Sequence, residues 1–192
     1  SMFPCLGQAF SAQELEILPK ILAKHLNCSL TSSIGRLFDG VAAMVNLCQV
    51  ASFEGQAAMQ LEFAIEGIET NKTYPIFYFQ PPLVIDWQSI ILGILDDLTK
   101  QVSFSLISAK FHNALVEIIV TIARKIGVEK IALTGGCFQN QYLTERTIHR
   151  LQQENFCPYW HCSVPPNDGG IALGQIVAAN LNLGKGNDRN IL

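Results

Sequence analysis

Two glycine-bearing turns constrain this chain more than any other feature: Thr134-Gly135-Gly136-Cys137-Phe138-Gln139-Asn140 and Pro165-Pro166-Asn167-Asp168-Gly169-Gly170. Each separates a short apolar stretch from an amphipathic one. Lys130 to Leu133 reads as a short buried strand, Gln141 to Glu154 as a helix, Pro158 to Val164 as a strand and Ile171 to Leu181 as a helix. Strand, turn and helix, twice over, argue for parallel strands, because a helix must carry the chain back before the next strand begins. In such sheets ligands sit beyond the carboxyl ends of the strands, which is where both turns would lie.

The residue types in the turns suit that place. Paired glycines let backbone approach a ligand with no Cβ in the way. The N–H groups at the start of the following helix favour a phosphate. Asn140 either caps that helix or offers its amide to a ligand. Asp168 likewise reads two ways, as the cap of the next helix or as a carboxylate holding a metal ion against nucleotide phosphates.

The first two-thirds of the chain read as mainly helical. Ser11 with Glu14 forms a capping box for a short helix, and Pro19 starts a second that runs to about Leu26. Ile34, Leu37, Phe38, Val41, Val45 and Cys48 recur at helical spacing. Asp39 falls between these positions and faces away from the apolar stripe. Glu54-Gly55 opens a further helix marked by Ala58, Leu61, Ile65 and Ile68 and ended near Gly67, and a glutamate there suits the helix dipole. Tyr74 to Phe79 reads as a strand closed by Pro81-Pro82, Leu83 to Trp87 as a second, and Gln88 to Thr99 as a helix. Phe111, Leu115, Ile118, Ile119, Ile122 and Ile126 mark an amphipathic helix stopped by Gly127. Residues 1–100 thus form a mainly helical part, 101–184 an α/β part, and 185–192 a frayed tail.

Composition limits the classes of function. Apolar residues make up 49% and charged residues 15%, below the roughly one quarter usual for a soluble domain. No run of ~18 apolar residues free of turn signals stands out, so no membrane span is expected. No basic region precedes an apolar stretch at the N-terminus, so no secretory signal is expected. The excess of apolar residues suits a fragment whose surfaces pack against other parts of a larger protein. A net charge of -3 without a basic stripe disfavours nucleic acid as partner. Six cysteines without a CxxC pair read as reduced thiols of a cytoplasmic protein. Cys157, His161 and Cys162 lie close together, but their spacing matches no usual zinc finger. No GxxxxGK[ST], GxSxG or HExxH occurs, and spacing identifies no serine or cysteine nucleophile.

Four segments together carry a resemblance. Ser32-Ser33-Ile34-Gly35-Arg36-Leu37-Phe38-Asp39, Ala51-Ser52-Phe53-Glu54-Gly55-Gln56-Ala57-Ala58, the first glycine turn, and the second continued by Ile171-Ala172-Leu173-Gly174-Gln175 resemble HypF. HypF is the carbamoyltransferase family of [NiFe]-hydrogenase maturation. The resemblance implies an α/β fold of the ASKHA type (actin-like ATPase, ribonuclease H-like), here its C-terminal lobe with a large helical part. It implies an enzyme that makes carbamoyl-adenylate from carbamoyl phosphate and ATP, then passes the carbamoyl group to the C-terminal cysteine of HypE.

The resemblance also implies roles, residue by residue. Asp39 would bind the ribose hydroxyls, as in the similar Phe-Asp motif of the TsaD branch, and Glu54 and Gly55 would line the nucleoside pocket. Gly135, Gly136, Asn140 and Gly169 would contact phosphate and nucleoside. Asp168 would complete a divalent-metal site whose histidines come from a His-xxx-His motif that this sequence lacks. One carboxylate binds such a metal poorly, so the isolated chain is expected to hold it weakly and to be inactive. The competing readings are a TsaD-like or O-carbamoyltransferase lobe, and a non-catalytic docking module for HypE. Glu54-Gly55-Gln56-Ala57-Ala58 and Gly35-Arg36-Leu37-Phe38-Asp39 favour HypF.

Overall fold

The computed structural model describes residues 9–79 and 81–187, except the side chains of 182–187. The chain divides into two compact units between Leu115 and Val116. The division falls inside a long helix.

In the first unit, helix α1 (Ala12–Ala23) starts at the Ser11 cap. Ser11 Oγ accepts the Glu14 N–H at 3.3 Å, and the Ser11 N–H donates to Glu14 Oε2 at 2.8 Å. The expected second helix starting at Pro19 is absent: Pro19 lies inside α1. Its missing N–H is tolerated because the residue is exposed, so water can serve the carbonyl left over. Helix α2 (Ile34–Met44) follows the Ser33 cap, and α3 (Gln56–Phe63) follows Gly55. Phe38, Val41 and Ala42 of α2 and Ala57 and Leu61 of α3 are buried. Strands β1 (Phe77–Phe79) and β2 (Val84–Asp86) pair antiparallel, with Tyr78 opposite Ile85. The expected strand from Tyr74 starts only at Phe77, because Tyr74 turns into the core instead. Its hydroxyl donates to Asp97 Oδ2 at 2.7 Å, from helix α4 (Gln88–Thr99). Gly93 faces the Tyr74 ring, and a Cβ there would lie 2.5 Å from Cδ1.

Helix α5 (Phe104–Ile126) is the spine of this unit and continues into the second. With 23 residues and an 18-residue window of mean hydropathy 1.5, it is long and apolar enough to cross a membrane by length and composition. Yet 61% of that window is buried inside the protein. Phe111 is fully buried and meets Phe38 edge-to-face at 5.0 Å between ring centroids. The buried polar side chains of α5 in this unit are hydrogen-bonded within it, as burial demands. Ser108 Oγ donates to the Leu61 carbonyl at 2.6 Å. Asn113 Nδ2 donates to the carbonyls of Thr70 and Lys72 at 3.0 and 2.8 Å. Lys110 pairs with Asp97, and this pair with the Tyr74 hydroxyl outweighs burial to hold the Asp97 carboxyl below its usual range. His112 Nδ1–H donates to the Ser108 carbonyl at 2.8 Å, and burial pushes the imidazole down to about 4.

In the second unit, β3 (Lys130–Leu133) and β4 (Cys157–Trp160) pair in parallel, Lys130 opposite Cys157 and Leu133 opposite Trp160. Helix α6 (Gln141–Gln153) connects them, and α7 (Ile171–Asn187) follows the second turn. Val120, Ala123, Leu133 and Leu151 form the core, with Ile131, Phe138, Ile148 and Phe156 packed on it. Arg150 of α6 bonds both carboxylate oxygens of Glu117 on α5, at 2.6 and 3.1 Å. Strand β4 ends at Trp160 rather than Val164, because its ladder with β3 ends where β3 does, at Leu133. Strand β3 is less buried than expected: only Leu133 is enclosed, since the described sheet has two strands and open faces. Helix α7 extends past Leu181 and through Gly184 to Asn187; the rest of the expected frayed tail, 188–192, lies outside the described residues, as does Cys5. The other five cysteines are free thiols.

His112 makes stability depend on pH. The unfolded imidazole protonates near 6.5 and the folded one only near 4, so the unfolded state binds more protons in between. Stability is complete above about pH 6.5 and falls towards pH 4, by on the order of 3 kcal/mol from this group. Denaturant unfolding at a series of pH values is expected to show this slope, and a His112→Asn variant to flatten it.

Candidate functional site

Strands β3 and β4 run parallel and in register, so their carboxyl ends deliver both glycine turns to the same edge of the sheet. The turns are bonded directly: the Gly135 N–H donates to the Pro166 carbonyl at 2.8 Å. One step nearer the strands, His161 Nε2 lies 3.0 Å from Thr134 Oγ1. The pairing of Leu133 with Trp160 is thus followed by Thr134 with His161, then by Gly135 with Pro166.

The first turn is held by its own side chains. Phe138 packs on the core of the second unit. Thr144 Oγ1 donates to the Phe138 carbonyl at 2.9 Å. Asn140 caps α6, its Oδ1 accepting the Leu143 N–H at 2.8 Å, so that oxygen is engaged in the cap. Gly136–Gln139 form one turn of 3₁₀ helix. Gly135 has φ +106°, a conformation that strains any other L residue. Gly136 has no such requirement, and a Cβ built on it meets nothing within 4 Å. Neither the Gly136 nor the Cys137 N–H donates to a backbone carbonyl outside this turn among the described residues. These donors stand at a helix start, with open space beside Gly136, and can receive an anion. Burial pushes the Cys137 thiol up, away from the thiolate form that a nucleophile needs.

The second turn separates two roles that sequence had left together on Asp168. The cap belongs to Asn167, whose Oδ1 accepts the Gly169 N–H at 3.0 Å. Asp168 is exposed, and while its carbonyl accepts the Ile171 N–H, its carboxylate makes no hydrogen bond or ion pair among the described residues. Its carboxylate is therefore available two residues from the carbonyl that binds Gly135. The spacing Asn167-Asp168-Gly169 is a signal that could have found this, since an asparagine side chain bonds the backbone two residues on. Gly169 and Gly170 are explained by the turn itself. A Cβ on Gly169 would lie 3.1 Å from Asn167 Oδ1, and one on Gly170 would lie 2.8 Å from the Pro165 carbonyl oxygen.

The remaining candidates belong to the first unit. Asp39 pairs with Arg36 Nη2 at 2.9 Å on the partly exposed side of α2. Glu54 is exposed, and Gly55 takes φ +81° as it turns the chain into α3. No group of three or more His, Cys, Asp or Glu side chains stands together among the described residues, the Cys157, His161 and Cys162 segment included. Asp168 alone therefore does not make a divalent-metal site.

Comparison with known proteins gives one answer. Residues 4–175 match the family described as the second subdomain of the Kae1-like domain of carbamoyltransferase. The chain is 47% identical over 152 residues to the carbamoyltransferase HypF of Synechocystis sp., covering 78% of this chain and 19% of that protein. It is 31% identical over 182 residues to the probable carbamoyltransferase HypF of Methanocaldococcus jannaschii, covering 91% and 23%. A crystal structure of full-length HypF in the phosphate- and nucleotide-bound form superposes with a TM-score of 0.83 at 38% identity, over 95% of this chain and 25% of that one. The T. kodakarensis HypF structure shares the fold, with a TM-score of 0.77 over 96% of this chain and 24% of that one, at 24% identity. The chain spans about a fifth to a quarter of the length of these relatives.

The glycines divide into two kinds, which stability measurements separate. Gly170→Ala is expected to cost about 1–3 kcal/mol, because its Cβ overlaps a backbone oxygen. Gly136→Ala is expected to leave stability unchanged or raise it slightly, because nothing occupies that space.

Proposed function

The chain belongs to the carbamoyltransferase HypF family, and from that premise we propose that its paired glycine turns hold the phosphates of ATP during carbamoyl transfer. The reaction is the formation of carbamoyl-adenylate from carbamoyl phosphate and ATP, followed by transfer of the carbamoyl group to the C-terminal cysteine of HypE, in the cytoplasm. The observation that carries this reading is the open space over Gly136, a glycine that neither backbone conformation nor neighbouring atoms require. The phosphate- and nucleotide-bound state of the full-length relative supports it.

The chemistry follows from charge. Water first splits carbamoyl phosphate into carbamate and inorganic phosphate; a carbamate oxygen then attacks the α-phosphorus of ATP and pyrophosphate leaves, so negative charge grows on phosphate oxygens. Backbone N–H groups at Gly136 and Cys137 neutralise it without reorganising, because the turn is already fixed by Phe138, Asn140 and Thr144. The task of the protein is to position the mixed anhydride and exclude water, which needs no covalent nucleophile from this chain. Among the described residues, Asp168 offers these turns a carboxylate without a side-chain partner, able to ligate a divalent metal with further ligands supplied from elsewhere. Asp39, Glu54 and Gly55 are assigned to the ribose and nucleoside on the family pattern alone.

Two measurements test the reading. In the full-length protein, Asp168→Ala is expected to lower carbamoyl transfer at least about 100-fold, the scale lost with one charge-stabilising group; normal transfer would remove Asp168 from the site. The isolated chain is expected to show no conversion of ATP to AMP with carbamoyl phosphate, and measured turnover would show the site to be complete within these residues.

A further inference from the structure

We infer that His161 is a positioning residue for the nucleotide, acting through the hydroxyl of Thr134. The inference rests on the nucleotide reading of the glycine turns. Thr134 and His161 are the first residues past the paired ends of β3 and β4, and their side chains meet at 3.0 Å. Thr134 directly precedes Gly135, and a Cβ built on Gly135 or Gly136 meets nothing within 4 Å, so Thr134 is the hydroxyl-bearing residue next in the chain to that open space. Both residues are exposed, so the contact does little for the core.

The chemistry of the pair then decides the direction of the bond. A hydroxyl has one proton and two lone pairs. If His161 Nε2 accepted that proton, Thr134 would turn only lone pairs towards the turn and would repel a phosphate. If Nε2 carries the hydrogen and donates it to Thr134 Oγ1, the Thr134 O–H is released to donate to a phosphate oxygen. An anionic ligand therefore selects the Nε2–H tautomer. The relay runs from His161 Nε2–H to Thr134 Oγ1, and from the Thr134 O–H to the ligand. It sits one residue from the bond between Gly135 and Pro166 that joins the two turns.

The test uses the full-length protein and an ATP analogue that is not cleaved between its α- and β-phosphates, with affinity measured by calorimetry. His161→Ala and Thr134→Val are each expected to weaken binding about 3- to 10-fold, the range of one hydrogen bond. The double variant is expected to be no weaker than the stronger single one, because both changes break one relay. His161→Gln, whose amide reaches the Nε2 position, is expected to recover most of the affinity. Nitrogen NMR of the complex is expected to find His161 protonated on Nε2. Unchanged affinity in His161→Ala, additive losses in the double variant, no recovery with glutamine, or an unprotonated Nε2 in the complex would overturn the relay. Gly136→Ala separates this from the underlying reading. If that variant binds the analogue normally, the nucleotide assignment of the turns has failed. If it binds poorly while His161→Ala binds normally, only the relay has failed.

Discussion

Everything at the candidate site depends on the parallel pairing of β3 with β4. A parallel ladder brings the carboxyl ends of two strands to the same edge, and here the pairing of Leu133 with Trp160 sets where each chain leaves the sheet. The contact between Thr134 and His161 and the bond from Gly135 to Pro166 continue that pairing after the strands have ended. Gly135 and Pro166 are 31 residues apart in sequence, yet a hydrogen bond joins their turns at one edge of the sheet. A shift of one residue in register would separate the Gly135 N–H from its acceptor and move Asp168 away from the first turn.

The first unit solves a different problem. Helix α5 is apolar enough to raise the question of a membrane, but its polar residues are used as ties within the core. Ser108, His112 and Asn113 each bond a backbone carbonyl, and Lys110 meets Asp97 and the face of Tyr74. A buried polar group without a partner is costly, so a fully satisfied set is specific about which segments pack on the helix. Asn113 fixes the loop at Thr70 and Lys72, and Tyr74 is drawn inward at the expense of the strand that its sequence suggests.

Much of this was legible in the residues. The capping box at Ser11, the helix Gln88–Thr99, the strand Lys130–Leu133 and the order strand, turn, helix, strand, turn, helix follow from local propensity and period, which act within a few residues. The misreadings arose where a distant contact or solvent decided the outcome. Pro19 resembles a helix start, but on an exposed face it fits within the running helix α1. Asp168 reads either as a cap or as a ligand, and the folded turn gives the cap to its neighbour Asn167. Strand β3 has the composition of a buried strand, but burial depends on what covers it.

The sequence by itself determined the α/β class, the two glycine turns at strand ends and the family to which their motifs belong, because motif order and hydrophobic period are written along the chain. The tertiary structure alone decided that the turns touch, that Gly136 faces open space while Gly170 is pressed against Pro165, and that Asp168 is left free. It also brought His161 to Thr134, 27 residues apart. The reason is physical: the spacing of residues along a strand is local, but which strand lies beside it, and in what register, is settled only when the core closes.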